Sequence, residues 1–519
     1  MIQTFKRQPK IFWWILLGSA ALRLAGLARP LLGNFSSVQV IYAMMAKNFR
    51  DLDWNLFVPR LDILAGGEPG IRLLDLPLIS YGAALLSVLT SAPVDLLGRG
   101  LSAGFSLAAA AVWFHFLKRR FSETAALAAM FFFSFAPLTI IYGQSFQTDA
   151  ASLCLFLFAI DRLQSAAVRP LALIFSAGCM ALVLLMRIQY VFLFPLALYF
   201  FWEQGQGLLR SLQKMTVWGA LAVLPLLGWN FYIYHFTAAH PDTVIMSIFH
   251  QLKTGTYAGY RPWSPFFLSH SAAHFFQLLL NPLGAGLCLI GLFSRNQSKH
   301  ENGLRLWFFL WAGMLAVLSK KAVDMNYYWL GLCLPASFFA AKGLILCAAR
   351  LRRGTPGRGF LFFLAGISLI FSLRYAAGAA YKTPAEDASV IEAGRYIQEH
   401  SGKEDRIIAA NGTNLNLLYY AGRKGWAFPI LDRAEASASP YGAFTLQGQP
   451  LSAAKQAFLK AQTHAVAALE YYREQGARYF VCVRMQDLTQ SVAGQELKAH
   501  LDRHYTKKIE QAQFIVYEL

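Results

Sequence analysis

The sequence is poor in charged residues, and acids are the scarcer kind. Only 14% of its 519 residues are charged, 28 Asp and Glu stand against 47 Lys and Arg, and 56% of the residues are apolar. This apolar share is too high for a disordered or purely cytosolic chain. The basic residues stand in short clusters between long apolar runs, which argues against a continuous nucleic-acid-binding face. Composition therefore indicates a membrane protein with no nucleic-acid partner.

Cysteines and common catalytic motifs are also scarce. Five of the six cysteines lie in apolar runs, and Cys482 stands alone in the C-terminal region, which therefore has no internal disulfide. Zinc-type spacings, phosphate-cradling glycine loops, Gly-x-Ser-x-Gly elbows and His-Glu-x-x-His pairs do not occur in the sequence. These absences argue against ATP-driven pumps, esterases and the common metalloproteases.

Long apolar runs dominate the first 379 residues. A spanning helix needs about 20 mostly apolar residues. Segments of this kind are 11–28, 98–117, 123–142, 148–164, 170–187, 188–202, 215–235, 270–293, 303–319, 328–348 and 359–378. The run Leu76–Leu89 is too short to span, and we interpret it as a helix in the outer interface. The predicted fold class is an α-helical polytopic membrane protein with about 11 transmembrane helices.

Basic clusters set the predicted orientation, because cytoplasmic loops retain Lys and Arg. The clusters that this rule places in the cytoplasm are Lys6, Arg7 and Lys10; Lys118, Arg119 and Arg120; Arg162 and Arg169; Arg210 and Lys214; Arg295, Lys299 and Arg305; and Arg350, Arg352, Arg353 and Arg358. The N-terminus is then cytoplasmic in a plasma membrane, or a bacterial inner membrane. The first outer loop, 29–97, and the C-terminal residues then lie outside, in the periplasmic or extracellular space.

The C-terminal residues 380–519 differ from the rest in charge and in pattern. They hold 16 basic and 15 acidic side chains, whereas residues 1–379 hold 31 and 13. The pattern predicts helices at Ala388–His400 and Leu451–Gln475 and strands at Arg406–Ala410, Arg478–Val483 and Gln513–Tyr517. This alternation is typical of an α/β fold. We therefore expect two domains, a transmembrane domain at 1–379 and an extracytoplasmic α/β domain at 380–519.

Acids near the outer ends of spans are the first candidates for chemistry, because charge at membrane depth is costly. Asp149 opens the fourth span, and both a helix cap and a catalytic carboxylate fit that position. Asp51-Leu-Asp53 resembles a carboxylate pair that holds a divalent cation, although this short pattern is common by chance. Asp75 stands near Arg72, and a structural ion pair is the favoured interpretation there.

Cations at the outer ends of spans are the second group of candidates. Arg187 and the pair Lys320-Lys321 either extend to lipid headgroups or bind the phosphate of a lipid-linked substrate. For each one singly, the sequence favours the first interpretation. His240, His250, His270 and His274 cluster without metal-ligand spacing, so no metal site is predicted from them.

Several short segments follow one another in a fixed order along the chain. They are Leu31-Leu-Gly-Asn34 to Ala46-Lys-Asn-Phe49, Phe57-Val-Pro-Arg-Leu-Asp62, Asp75-Leu-Pro-Leu78, Gly98-Arg99, Tyr142-Gly-Gln-Ser-Phe-Gln-Thr-Asp149, Asn326-Tyr-Tyr328 and Leu418-Tyr-Tyr-Ala-Gly-Arg-Lys-Gly-Trp426. In this order they resemble the polytopic glycosyltransferases of the C-type fold. Protein O-mannosyltransferases and the lipid A aminoarabinose transferase belong to that group.

The resemblance implies a fold and a reaction. A sugar on a polyprenyl phosphate in the membrane is transferred with inversion to a glycan, lipid or protein acceptor, and no nucleotide is needed. A first-loop carboxylate acts as general base on the acceptor hydroxyl, and cations stabilise the departing phosphate. Carried onto this chain, the acids are Asp149 and one of Asp51, Asp53 or Asp75. The substrate-binding residues are Arg187, Lys320 and Lys321 for the phosphate, and Asn326, Tyr327 and Tyr328 at the entrance for the lipid-linked sugar.

The chain departs from the family pattern in the first loop. A His, a Trp-Arg-Gln run and an Asp of related sequences fall on Phe35, Ser37-Val38-Gln39 and Ile41, so only Gln39 is kept as a substrate-binding candidate. Isoleucine cannot accept a proton. Two hypotheses therefore stay open, an enzyme that uses another acid and a non-catalytic scaffold that binds other membrane-protein subunits. The sequence shows no inverted repeat, which argues against a transporter.

Overall fold

The structure is a computed structural model that describes residues 8–33, 36–65, 67–163, 169–205, 207–248, 259–296, 298–351, 358–430 and 464–519. Several residues of the sequence predictions lie outside this part: Lys6, Arg7, Phe35, His250, Arg352, Arg353 and residues 451–463 of one predicted helix. The chain forms two compact units. The first consists of Met1–Arg29, Leu96–Asn230 and Gln251–Lys382, and the second of Pro30–Asp95, Phe231–His250 and Thr383–Leu519.

Helices make up most of the described chain. In order they are α1 (Lys10–Leu24), α2 (Ser36–Asp51), α3 (Leu78–Thr90), α4 (Val94–Lys118), α5 (Glu123–Ser134), α6 (Pro137–Tyr142), α7 (Asp149–Leu163), α8 (Pro170–Met186), α9 (Phe194–Glu203), α10 (Leu208–Ala239), α11 (Pro265–Ala273), α12 (Asn281–Phe293), α13 (Lys299–Val317), α14 (Ser319–Asp324), α15 (Leu330–Leu351), α16 (Arg358–Tyr381), α17 (Ala385–His400), α18 (Asn416–Ala421), α19 (Ala465–Glu474), α20 (Met485–Gln490) and α21 (Val492–His504). Two 3₁₀ segments, Ile188–Leu193 and Asn326–Trp329, and a π segment, His274–Leu279, lie between them.

Each apolar segment of the sequence falls on one or more of these helices. Within the described residues, four helices are long and apolar enough to cross a membrane, and a bent pair makes a fifth if it counts as one span. They are Val94–Lys118, Leu208–Ala239, Asn326–Arg350, Phe363–Tyr381 and the pair Pro265–Leu279 with Asn281–Phe293. The predicted interfacial run coincides with α3.

Two of the predicted spans are broken rather than continuous. Segment 123–142 divides into α5 and α6, and Pro137 begins the second helix, as expected because the residue before a proline disfavours helical geometry. Segment 270–293 bends by 104° between its π segment and α12. The bend falls where Asn281 has a φ of +62°, immediately before a proline.

The second unit contains an eight-stranded sheet. Its strands are β1 (Arg60–Ala65), β2 (Glu68–Leu73), β3 (Val244–Ser247), β4 (Arg406–Ala410), β5 (Gly425–Ala427), β6 (Ala477–Cys482), β7 (Thr506–Glu510) and β8 (Ile515–Glu518). The strand order is β3-β2-β1-β5-β4-β6-β8-β7, with β5, β4 and β6 parallel. The β1–β2 hairpin joins β5 where Ile63 pairs with Gly425, and β3 pairs with β2. Three segments far apart in sequence therefore belong to one sheet.

The join between the hairpin and the C-terminal strands depends on local chemistry. A Cβ at Gly425 would overlap the carbonyl oxygen of Ile407, so only glycine lets β4 and β5 pair here. On β1, the buried carboxylate of Asp62 accepts hydrogen bonds from Lys47 and Asn48 of α2, each at 3.2 Å. The sequence did not predict β1 and β2, because both strands are largely buried and lack the alternation of a half-exposed strand.

Candidate functional site

A fully buried arginine fixes the helix break that leads to Asp149. Arg23 of α1 donates hydrogen bonds to the hydroxyls of Ser19 at 2.6 Å and Ser106 at 2.9 Å. It also donates to the carbonyls of Ser134 at 3.2 Å and Thr139 at 3.1 Å, one on each side of the break between α5 and α6. These acceptors are neutral, so the guanidinium acts as a multiple donor that holds the broken segment.

The segment 143–148 that follows is held by its backbone. A Cβ at Gly143 would overlap Thr139 and crowd Arg23, so the chain can turn here only at a glycine. Arg99 Nε donates to the carbonyl of Gln144 at 2.9 Å. The Ser102 hydroxyl donates to the carbonyl of Gln147 at 3.3 Å. The path of the chain into α7 is therefore defined by contacts on both sides.

Asp149 forms a two-point ion pair with Arg187. Arg187 Nε lies 2.9 Å from Oδ1 and Nη2 lies 2.5 Å from Oδ2 of the carboxylate. The side chains are only 6% and 12% exposed, respectively. Asp149 stands in the first turn of its helix, where the helix dipole favours a negative charge. Arg187 follows the end of α8, so two helix ends meet at this pair.

Aromatic side chains complete one face of the pair. The Arg187 guanidinium carbon lies 5.1 Å from the centroid of the Tyr327 ring. Tyr327 in turn lies 5.8 Å from Tyr142 and 5.1 Å from Tyr328, centroid to centroid. The Tyr142 hydroxyl donates to Asn326 Oδ1. The candidates Asn326, Tyr327 and Tyr328 are thus brought to Asp149 and Arg187.

The two candidate lysines have different surroundings. Lys320 is 40% exposed, pairs with Asp324 at 3.1 Å and lies over the Tyr260 ring. Lys321 is buried. Burial lowers the pKa of Lys321 below its ordinary value, Asp324 opposes this, and the positive charges of Lys320 and Arg187 add to it. Lys321 and Arg187 are therefore close enough for their charges to interact.

The second unit holds a different buried carboxylate, Asp75. Arg72 Nη1 lies 2.7 Å from Asp75 Oδ1, and the Tyr42 hydroxyl donates to Oδ2. All three side chains are buried. Gln39, also buried, precedes Tyr42 by one turn of α2, so both side chains lie on the same face of that helix. The structural ion pair that the sequence favoured for Asp75 and Arg72 is present.

The Asp51 and Asp53 carboxylates have separate partners at the surface of the second unit. Asp51 pairs with Arg50 at 2.6 Å and is 39% exposed, whereas Asp53 pairs with Arg60 at 3.1 Å and is 41% exposed. Asp53 also accepts the backbone N–H of Asn55. Among the described residues, no group of three His, Cys, Asp or Glu side chains is placed to hold a metal ion. In the structure, a separate arginine therefore binds each of the two carboxylates.

Comparisons with known proteins give structural relatives only. No family model matches the sequence, and no curated protein is significantly similar. The structure resembles ArnT from Cupriavidus metallidurans bound to undecaprenyl phosphate, with a TM-score of 0.63, 13% identity, and coverage of 98% of this chain and 97% of that one. It also resembles the oligosaccharyltransferase from Archaeoglobus fulgidus in complex with Zn and sulfate, with a TM-score of 0.53, 12% identity, and coverage of 98% of this chain and 73% of that one. For arabinofuranosyltransferase AftD from Mycobacteria the TM-score is 0.55 and the identity 13%, with coverage of 98% of this chain and 39% of that one.

The chain has the C-type glycosyltransferase fold. The match extends over nearly the whole chain, which confirms the fold that the resemblance in the sequence implies. Identities of 12–13% establish the fold and leave the activity to be argued from the residues.

Within this C-type fold, two polar residues beside Asp149 were missed by the sequence reasoning. Gln147 and Thr148 are buried, and neither side chain has a hydrogen-bond partner within the described part of the chain. The only signal was their place in the polar run from Gly143 to Asp149, which was assigned to helix capping or to the acid alone.

Proposed function

We propose that this chain is a membrane glycosyltransferase that moves a sugar from a polyprenyl phosphate to a glycan, lipid or protein acceptor. The observation that carries the proposal is the group formed by Asp149, Arg187 and Lys321, in which a buried carboxylate pairs with a largely buried arginine and a buried lysine adds positive charge. Burying such charges costs free energy and is commonest where they act on a ligand. The C-type fold supports this assignment.

The cations suit the donor. Arg187 can bind a phosphate with two parallel N–H groups, as it now binds Asp149, and Lys321 adds a positive charge nearby. A solved relative, ArnT, is bound to undecaprenyl phosphate. For this chain, a polyprenyl phosphate places its charge at the cations and its tail in membrane lipid.

The proposed step transfers one sugar. The acceptor hydroxyl loses its proton to a carboxylate, its oxygen bonds to the anomeric carbon, and the bond from that carbon to the phosphate oxygen breaks. The electron pair leaves with the polyprenyl phosphate, whose charge Arg187 and Lys321 stabilise. Once Arg187 turns to the phosphate, Asp149 is released from its ion pair and can accept the proton.

Asp75 is the first-loop acid that we assign as the second candidate, in place of the missing acid at Ile41. It is buried, whereas Asp51 and Asp53 are well exposed and bound to surface arginines. The remaining finer assignments are proposals of the same kind: about 11 spans, a cytoplasmic N-terminus, and an external C-terminal domain in a bacterial inner membrane. Their support is the pattern of basic clusters and the shared sheet of the second unit.

The test is a transfer assay with purified full-length protein, polyprenyl-phosphate sugars and a panel of acceptors. Asp149→Asn should reduce transfer by about 10²-fold or more, because a general base contributes that much. The matched control is Asp161→Asn, at the other end of α7, where the aspartate is equally buried and also pairs with an arginine, Arg119. Equal activity of the two variants would contradict the role of Asp149.

The scaffold hypothesis remains the second candidate, and the observation that favours it is the isoleucine at position 41. Under this hypothesis no sugar-lipid and acceptor pair gives transfer, and other membrane subunits co-purify stably with the chain. Transfer that is lost in Asp149→Asn and retained in Asp161→Asn would exclude it.

A further inference from the structure

We infer that Gln147, together with Thr148, forms the part of the site that binds the hydroxyl groups of the donor sugar. This inference rests on the proposed function and assigns residues to the sugar rather than to the phosphate. It starts from an unusual feature of burial. Within the described residues, Gln147 is the only amide side chain whose oxygen and nitrogen are both buried without a hydrogen-bond partner.

An unsatisfied buried amide is costly. Folding removes its hydrogen bonds to water, and without replacements the group retains a desolvation penalty. Most buried polar groups in native proteins therefore have partners, and an exception needs an explanation. A ligand that supplies both a donor and an acceptor is one such explanation.

Thr148 repeats the pattern one residue later. It occupies the position before the first residue of α7, where a threonine hydroxyl usually accepts a backbone N–H of the first helical turn. Its carbonyl oxygen does accept bonds, from the backbone N–H of Ser152 at 2.9 Å and from its hydroxyl at 3.0 Å. The Thr148 hydroxyl, however, is buried without any partner in the described structure. Thr148 therefore does not make the usual capping hydrogen bond.

The unsatisfied groups do not result from a loosely held chain. The backbone of Gln147 bonds to Ser145 through its N–H at 2.8 Å and to the Ser102 hydroxyl through its carbonyl. The preceding Phe146 packs over Gly98, where any Cβ would overlap the ring. A fixed backbone with free polar side chains is the arrangement expected of a preorganised binding site.

Chemistry favours a sugar as the ligand. A primary amide offers donors and an acceptor together, and a hydroxyl does both as well, which matches the hydroxyl groups of a pentose or hexose. A phosphate accepts hydrogen bonds only and suits the cations Arg187 and Lys321. Gln147 precedes Asp149 by two residues, so the sugar would lie beside the carboxylate and the phosphate beside the cations.

The test compares lipids with and without a sugar. Purified full-length protein is titrated with undecaprenyl phosphate and with its mannose- and arabinose-linked forms, and binding is measured by native mass spectrometry. We expect the wild type to bind at least one sugar-linked form more tightly than the bare lipid. Gln147→Met should lose this preference by about tenfold, equivalent to about 1.4 kcal/mol, and should leave binding of the bare lipid unchanged. Thr148→Val should reduce the preference in the same direction.

Thermal unfolding without ligand gives an independent readout. Gln147→Met removes an unsatisfied amide and keeps its shape, so the Tm should rise, by about 1 °C. Gln204→Met is the matched control, because the Gln204 amide does donate, to the carbonyls of Leu163 and Phe200, and its removal should lower the Tm.

Three outcomes would overturn the inference. They are a wild type without preference for any sugar-linked form, a full preference retained in Gln147→Met, and a lower ligand-free Tm in that variant. Failure of the bare lipid to bind the wild type would instead count against the proposed function.

Discussion

The two ends of α7 carry the same pair of residue types in different surroundings. At one end Asp149 binds Arg187, and at the other Asp161 binds Arg119. The two aspartates are equally buried, at 6% exposed. The arginines differ, because Arg187 is 12% exposed and Arg119 is 55% exposed. Both side chains of the first pair are largely removed from water, whereas the arginine of the second pair stays hydrated.

Under the proposed function, this difference separates a structural pair from one that binds a ligand. An exposed arginine loses little hydration free energy when it pairs with an aspartate, and such a pair contributes little net stability. Burying both charges costs more than their attraction returns in many proteins, so the fold gains little from burying Arg187. The nearby cation Lys321 and the unsatisfied Gln147 mark the same end of α7. We expect the cost to be offset when a ligand is bound.

The largest effect should come from breaking the buried pair. Arg187→Gln leaves Asp149 buried without its cation and should cost about 3–5 kcal/mol of stability, whereas Arg119→Gln should cost about 1 kcal/mol or less. The double variant Asp149→Asn with Arg187→Gln should recover most of the loss. Chemical denaturation of the purified proteins measures these differences. Equal losses in the two single variants would remove the distinction between the ends of α7.

A second buried ion pair, Lys342 with Glu301, tests whether burial alone is enough to indicate a binding site. Lys342 Nζ lies 2.6 Å from Glu301 Oε2 and 3.0 Å from the Arg295 carbonyl, and both side chains are under 8% exposed. Lys342→Met should destabilise the protein by about 3 kcal/mol, because the buried Glu301 carboxylate loses its ion pair with Lys342. The double variant Glu301→Gln with Lys342→Met should restore much of the lost stability.

Lipid binding distinguishes this pair from that of Asp149. Undecaprenyl phosphate should bind Lys342→Met as it binds the wild type, measured below the unfolding temperature, whereas Arg187→Gln should weaken binding about tenfold or more, since hydrogen bonds to charged groups are the strong ones. Weak binding in Lys342→Met would show that any buried charge pair affects the site indirectly.

The sequence predicted the local features of this fold well and its long-range pairings poorly. Each apolar segment lies on a helix, and the strand Arg406–Ala410 has the predicted bounds, because periodicity and composition act over neighbouring residues. Arg187 has no acidic residue near it in the sequence, and its partner Asp149 lies 38 residues away. The pairing of Ile63 with Gly425 joins segments more distant still. Such contacts depend on how distant segments pack together, and no local pattern in a single sequence reveals them.

The candidate site shows the same limit. Asp149 and Arg187 could be chosen because charges near a membrane are rare and therefore visible. Gln147 and Thr148 are neutral, and neutral polar residues at a helix start are ordinary, so their lack of partners became visible only in the structure. The spacing of Asp51 and Asp53 suggests one shared site, whereas in the structure a separate arginine binds each carboxylate at the surface.

The smallest effect should come from Asp502 in the second unit, whose lysine partners are partly exposed to water. Burial raises the pKa of Asp502, but hydrogen bonds from Lys498, Tyr517 and Lys507 outweigh it and lower the pKa from 3.8 to about 2. A depressed carboxyl pKa stabilises the fold above pH 3.8, and this stabilisation is lost as the pH falls towards 2. Asp502→Asn should therefore lower the stability at pH 7 by about 1 kcal/mol or less.

A second variant, Asp487→Asn, serves as a control, because its stability relative to wild type should change with pH in the opposite direction. The Tm difference between wild type and Asp502→Asn, followed by tryptophan fluorescence from pH 7 to 3, should shrink below pH 4. Burial raises the pKa of Asp487, against the effect of Arg484, so ionising Asp487 costs stability as the pH rises. Asp487→Asn should thus gain stability relative to wild type between pH 3 and 7. Parallel curves for the two variants would mean that global charge, rather than these local contacts, sets the response to acid.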